Sequence, residues 1–352
     1  MKIAEKLIKM APYEPVVGDY AVRLDANESP FAMPEEMARR LVAAAVKEEL
    51  NRYPDPDSTL VRGAAAEYYG VSPEMVIAGN GSDELIGLLY SSLVEKGDKV
   101  LTFAPDFAMY PFYSSLCEVN AVTIQKGPSL ALSADEIIEA IDRERPAMTI
   151  FSNPCNPTGQ GLPRSEVERI IESCQRTILV VDEAYMDFWD QSAIDSAVKS
   201  QNVIVLRTCS KALGLAGLRL GFGIANPYLI GLLNRSRSPY NINSLTQRLA
   251  RDVLADQTYL ARLRSEILAL KNKFEEELLS LAARYPEKMA VLPSKTNFCA
   301  VRPTDGDGFQ AALVKNSIAV RYFPALSLMR VTAGTEAENR RFVQVTEEFL
   351  KG

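Results

Sequence analysis

Short apolar runs alternate with stretches of helical period along most of this chain, and several of the runs stop abruptly at polar residues. The run from Val203 to Leu206 reads as a buried strand ending in Thr208 and Ser210, directly before Lys211. A second run, Leu218 to Ile224, follows a glycine-rich turn. Upstream, VIAG from Val76 gives way to NGSDE and then to the helical LIGLLYSSLVEKG, which places Gly81, Ser82 and Asp83 at a helix N-terminus. KVLTFAP, the helix DFAMYPFYSSL, VNAVTI over 119–124, a helix capped by Ser133, AMTIFSNP over 147–154 and TILVVDEAY continue the alternation. The pattern predicts an α/β domain on a mainly parallel sheet flanked by helices.

The flanks read differently. Residues 1–33 form an arm with prolines at 12, 15 and 30, expected to dock on the rest of the molecule. A helix is predicted from Pro34 to about Leu50, followed by NRYPDPDS, in which Pro54 and Pro56 hold Tyr53 on an extended elbow and Ser58 can cap the helix TLVRGAAAEYYG. Past RSRSPYNINS, the segment from Ser244 to Arg284 is amphipathic and long enough to connect two domains. After Pro286 come strands near AVLPS, NFCAVRP, IAVRYF and MRVTAG and a last helix from Glu336, a smaller α/β unit. The expected division is an arm (1–33), a large domain (34–243), and a connecting helix with a small C-terminal domain (244–352).

Composition narrows the chemistry. A net charge of −6 over 352 residues argues against nucleic acid or an anionic membrane as partner, and no apolar run reaches transmembrane length. The N-terminus has no signal-like apolar core, so the cytoplasm is the expected compartment. Five widely spaced cysteines, with no CxxC, are expected to be reduced. The chain has no histidine, which removes histidine-based triads and the usual zinc ligands; no metal is expected.

In an open α/β sheet, ligands bind at the carboxyl ends of strands, so Asn156, Asp182 and Lys211 can converge on one crevice. Desolvation there would lower the pKa of Lys211 toward a nucleophilic amine able to form a Schiff base, although a lysine at a strand end can also snorkel outward. Asp182 would need a cation, for which a protonated pyridine nitrogen is suited, while Asn156 and Tyr185 could donate to a phenolate oxygen on the same ring. Ser82 and Asp83 suit a phosphate at the helix N-terminus, with Thr208, Ser210 and Arg219 around it, or serve only as ordinary caps. One of Phe107 and Tyr110 could stack on a planar ligand, or both are core. Arg321 and Arg330 suit carboxylate or phosphate, or pair with surface acids.

SNPCNPTG, VDEAY, SKALGLAGLRLGF, SPYNINS and MRVTAGT together resemble the fold-type-I, pyridoxal-phosphate-dependent aminotransferases of class I and II. LDANESP, RYPDP, NGSDELI, APDFAMY and PYNINS are similar to their histidinol-phosphate branch. The resemblance implies that Lys211 forms the Schiff base with pyridoxal 5′-phosphate and shuttles the proton, that Asp182 pairs with the ring nitrogen, and that Asn156 and Tyr185 hold the ring oxygen. It places the cofactor phosphate on Ser82, Asp83, Ser210, Arg219 and Thr208, and the ring against Phe107. It implies a homodimer in which Tyr53 reaches the partner's cofactor, with substrate held by Arg330, Arg321, Tyr13, Asn27 and Tyr240. The implied reaction is ping-pong transamination between histidinol phosphate and 2-oxoglutarate. The segment RYFPALSLMR is shorter and more apolar than the branch's usual loop, which leaves an aromatic aminotransferase as an alternative and a threonine-phosphate decarboxylase-like lyase as a more distant one.

Overall fold

The computed structural model describes residues 3–12 and 14–352, with the backbone alone at position 9. Its first strand, β1 (Val22–Leu24), lies within the arm. A seven-stranded sheet comes next among the described residues, made of β2 (Val76–Gly79), β3 (Lys99–Ala104), β4 (Asn120–Gln125), β5 (Met148–Ser152), β6 (Ile178–Asp182), β7 (Val203–Thr208) and β8 (Gly221–Ile224). Its order is β2-β8-β7-β6-β5-β3-β4. β3 to β7 run parallel, and β8 is antiparallel to both its neighbours. The central strands read as unbroken apolar runs because both faces are covered: Val203 and Val205 enter one core with Leu179 and Val181, whereas Ile204 and Leu206 enter another with Val180 and Ile150. Each such side chain contributes roughly 1.5–3 kcal/mol when fully buried.

The smaller sheet contains β9 (Met289–Leu292), β10 (Phe298–Pro303), β11 (Ile318–Phe323) and β12 (Leu328–Thr332). Its order is β1-β11-β12-β10-β9. The arm is thus woven into this sheet, since β1 pairs parallel with β11 and buries Leu24 beside Phe274, Phe309 and Phe342. Arg23 ties the preceding segment down by donating to the carbonyls of Val16 and Gly18 at 2.9 and 3.1 Å.

Three local expectations are corrected. The helix expected to reach Leu50 spans Glu35–Ala45. The segment 244–284 is two helices, Ser244–Leu254 and Gln257–Arg284, because the Asp256 side chain accepts from Tyr259 N and starts a new helix. Ser58 sits before Thr59–Tyr69 in a left-handed conformation without capping it, and Asp55 takes that role, accepting from Thr59 N at 2.7 Å. The Ser133 capping box forms as expected.

Candidate active site

β5, β6 and β7 end side by side, and beyond them opens a crevice of about 340 Å³. Its lining includes Ser82, Asp83, Phe107, Asn156, Asp182, Tyr185, Thr208, Ser210, Lys211, Arg219, Arg321 and Arg330. Ten of these come from the large sheet and its turns; the two last arginines come from the small sheet, where they stand directly opposite each other on β11 and β12.

The turn after β7 aims Lys211 back over the strand ends. Its surface is only partly covered because it faces the crevice, yet the amine sits deep. Burial, reinforced by Arg330 and Arg219 and opposed by Glu28, depresses it to about 7. Nζ donates to the carbonyl of Ala26 at 2.8 Å, so the arm's LDANE segment reaches the centre of the site. Asp182 closes β6 with 3% of its surface exposed. Burial raises it to about 7, although Tyr110 Oη and Ala184 N donate to its oxygens at 2.9 and 3.1 Å. A buried carboxylate so poised would ionise fully beside a cation.

Tyr185 is buried, and its hydroxyl accepts from Asn27 Nδ2 at 2.7 Å. Asn156 is anchored by its N–H to Ser152 Oγ at 3.2 Å, and its Oδ1 accepts from Arg330 Nη1 at 2.7 Å. Arg330 Nη2 donates to the Asp25 carbonyl, which links the arm, the small sheet and the large sheet through one guanidinium.

Across the crevice, the helix Gly81–Ser92 begins at β2. Ser82 and Asp83 do not cap it: Asn80 precedes it without a side-chain cap, and Glu84 folds back to accept from Asn80 N at 2.7 Å. The first-turn N–H groups therefore remain for an anion. Glycine is required here twice. Gly81 has φ +76° and a Cβ there would lie 2.9 Å from Arg219, while a Cβ at Gly221 would lie 2.3 Å from Ser82 N. Thr208 and Ser210, both buried, hydrogen-bond at 3.1 Å beside this cradle. Asp83 Oδ1 is buried with no hydrogen-bond partner, and Asp83 is raised by burial. A cradle of first-turn amides with Arg219 beside it, an aspartate poised to meet a cation and a depressed lysine amine fit a phosphorylated pyridine aldehyde in shape and charge.

Other expected residues lie elsewhere. Asn27 is 1% exposed and works behind Tyr185 rather than in the crevice lining, also accepting from Thr332 Oγ1 at 3.1 Å. Tyr53 and Tyr240 stack on each other at 4.7 Å, exposed, and neither lines the crevice of its own chain. Tyr13 lies outside the described residues. Tyr110 is the donor to Asp182 rather than a ring-stacking candidate, a role its place after β3 signalled only as an aromatic near a strand end. The Ala26 and Asp25 carbonyls had no signal in the sequence, because they are backbone groups.

Sheet order, crevice and lysine define a fold-type-I pyridoxal-phosphate enzyme. Residues 20–345 match the family described as aminotransferase class I and II. The histidinol-phosphate aminotransferase of Clostridium novyi is 35% identical over 331 residues, 93% of this chain and 91% of the relative; that of Ruminiclostridium cellulolyticum is 36% identical over 344 residues, 96% and 95%. The solved histidinol-phosphate aminotransferase of Sinorhizobium meliloti, in complex with pyridoxal-5′-phosphate, superposes with a TM-score of 0.88 at 26% identity, covering 99% of this chain and 98% of that one. The chain belongs to the class I and II aminotransferases, enzymes that use pyridoxal 5′-phosphate.

Proposed function

We propose that this aminotransferase takes histidinol phosphate as amino donor and 2-oxoglutarate as acceptor, within histidine biosynthesis. The observation that carries this reading is the near full-length similarity to relatives of that name. The facing pair Arg321 and Arg330 at the crevice mouth supports it, since two guanidinium groups suit an anionic substrate.

When bound, pyridoxal 5′-phosphate supplies the carbonyl carbon that takes the amine and a ring that withdraws the electrons left when the α-hydrogen departs. The protein's residues do the rest. First-turn amides of Gly81–Ser92, with Ser82, Thr208, Ser210 and Arg219, hold the phosphate. Asp182, kept in place by Tyr110, pairs with the ring nitrogen. Asn156 and Tyr185 hold the ring oxygen, and Phe107 covers the ring. Lys211 Nζ would hold the cofactor at its carbonyl carbon and, when freed from it by the donor's amine, would take the proton from the donor's α-carbon; a value near 7 for the free amine suits that exchange. Arg330 binds the acceptor's carboxylate, and Arg321, which also donates to the Glu14 carbonyl at 2.9 Å, meets the substrate's distal group or phosphate.

We read the functional unit as a cytoplasmic homodimer in which Tyr53 reaches the partner's cofactor phosphate and Tyr240 lines the partner's substrate channel, with the arm (1–33), large domain (34–243) and small domain (244–352) closing around the substrate. No helix among the described residues is long and apolar enough to cross a membrane. Because the connection between the strands of Arg321 and Arg330 is short and apolar, an aromatic amino donor is the second reading. Mixing cofactor-loaded enzyme separately with histidinol phosphate, phenylalanine and glutamate, and following the visible band, separates the two. Fast conversion by histidinol phosphate and glutamate is expected; conversion by phenylalanine at an equal or greater rate sinks the histidinol-phosphate reading.

A further inference from the structure

Behind the crevice lies a buried ion pair that the transamination chemistry does not call upon. Asp106 follows β3 and Lys126 follows β4, and their side chains are 2% and 1% exposed with Nζ 3.7 Å from Oδ2. Burying two charges is costly unless their remaining hydrogen-bonding capacity is used. Here it is used on the site. Asp106 Oδ1 accepts from Phe107 N at 2.8 Å and from Ser152 Oγ in a short contact, and Oδ2 accepts from Ser152 N at 3.2 Å. Ser152 Oγ in turn holds Asn156 N. One carboxylate therefore fixes the backbone under the ring-facing Phe107 and, through Ser152, the turn that presents Asn156.

We propose that Asp106 and Lys126 are positioning residues for the cofactor: Asp106 sets Phe107 and Asn156 at the ring site, and Lys126 offsets part of the negative charge that Asp106 brings near Asp182. The electrostatics agree with the geometry. Asp106 pushes both Asp182 and Tyr110 upward, and Glu183 adds to it at Asp182. Burial alone would strip the charge from Lys126, but neighbouring Cys155, whose Sγ is 3.0 Å from Nζ, and Asp106 together hold it above the ordinary lysine range. Lys126 is thus kept as a cation, and without it the Asp106 carboxylate would oppose more strongly the ionised form of Asp182 that a pyridinium needs.

This inference rests on the crevice being the pyridoxal-phosphate site, so wild-type apoprotein is the first arm of the test. Apoprotein is titrated with pyridoxal 5′-phosphate well below each variant's melting temperature, reading the dissociation constant and the pH at which the bound visible band changes. Lys126→Met leaves Asp106 unpaired and is expected to weaken binding by about tenfold or more and to move the band's pH response. Lys126→Met combined with Asp106→Asn removes the stray charge, keeps an oxygen toward Phe107 N, and is expected to recover to within about threefold of wild type. Replacing Asp106 by Ala on the same Lys126→Met background removes that oxygen and is expected to bind about tenfold more weakly than the asparagine pair, a comparison that stands even if Lys126→Met alone does not fold.

A melting temperature that falls in Lys126→Met while the affinity and the band stay at wild-type values would show a purely structural pair and overturn the proposal, as would equal affinity for the two double variants. Wild-type apoprotein that takes up no cofactor would instead overturn the site reading beneath it.

Discussion

The floor and the rim of the crevice are built on different principles. On the floor, Asp182, Tyr185, Thr208 and Ser210 are all buried and each stands at or just beyond the end of a parallel strand packed on both faces. On the rim, Tyr53 is 83% and Tyr240 41% exposed, and the arm is fastened by guanidinium bonds to backbone carbonyls of Val16, Gly18 and Glu14. The floor is fixed before any ligand arrives, because moving one of its groups means moving a strand. The rim is assembled from segments distant in sequence and is set by contacts that a substrate can compete for. On the proposed function, reaction chemistry belongs to the floor and substrate choice to the rim.

The sharpest break in that division is Lys211→Ala. Removing the amine proposed to move the α-proton is expected to lower turnover by roughly 10³- to 10⁴-fold, measured as single-turnover conversion of the visible band, with the melting temperature little changed. A comparable loss from any rim substitution would contradict the comparison.

Asp182→Asn is expected to cost less, roughly 10²- to 10³-fold in turnover, as one preorganised electrostatic partner is lost. It also has a stability signature. The folded value near 7 lies above the ordinary 3.8, so the folded apoprotein binds more protons than the unfolded chain between about pH 4 and 7, and the residue's stabilising contribution is lost as pH rises through that window. Apo Asp182→Asn should therefore melt progressively higher relative to apo wild type as pH goes from 5 to 8. A constant difference would mean that Asp182 is not held in this poised state. The comparison between variants removes the opposite contribution of Lys211, whose depressed value makes the fold gain stability as pH rises above about 7.

Arg330→Lys tests the seam where floor meets rim. The guanidinium bridges Asn156 Oδ1 and the Asp25 carbonyl in a fork that an ammonium cannot reproduce. The expected result is a KM for the oxo acid raised by roughly tenfold to a hundredfold, with turnover reduced less. Equal loss in both would move Arg330 into the floor.

The floor was legible in the sequence for the same reason that it is rigid. An apolar β-branched run ending in Asp182, or in Thr208, Ser210 and Lys211, states both that the strand is buried and that its terminal polar group faces something specific. The mainly parallel sheet flanked by helices follows from the alternation of those runs with helical segments. What was not legible depended on backbone or on distance. The Ala26 carbonyl on Lys211, the Asp25 carbonyl on Arg330 and the weaving of β1 into the small sheet carry no side-chain signature. Tyr110 and Asp106 were visible only as members of APDFAMY, since nothing in their spacing says that one faces Asp182 and the other Lys126. The break between the two helices over 244–284 was a single capping aspartate set inside a continuous amphipathic pattern.

The smallest expected effect belongs to Tyr53, and it tests whether the rim is completed by a second copy. Pro54 and Pro56 hold the tyrosine on an elbow, and Tyr240 stacks on one face of its ring, yet the side chain remains almost wholly exposed. Two prolines and an aromatic stack restrict a side chain that contacts nothing in its own crevice, an arrangement that makes sense if its hydroxyl is presented to a neighbouring subunit. Val42, Val46, Leu50 and Leu60, exposed in the same stretch of chain, supply apolar area for such an interface. Tyr53→Phe should weaken cofactor binding only about two- to tenfold, the loss of the single hydrogen bond proposed to the partner's cofactor phosphate. Mixed dimers decide the origin of that hydroxyl: when Tyr53→Phe chains are paired with Lys211→Ala chains, the site carrying Lys211 should regain wild-type affinity, because it then receives the tyrosine of the Lys211→Ala chain. Affinity that stays at the Tyr53→Phe value in the mixed dimer would place Tyr53 in its own subunit's rim and leave the shared site without support.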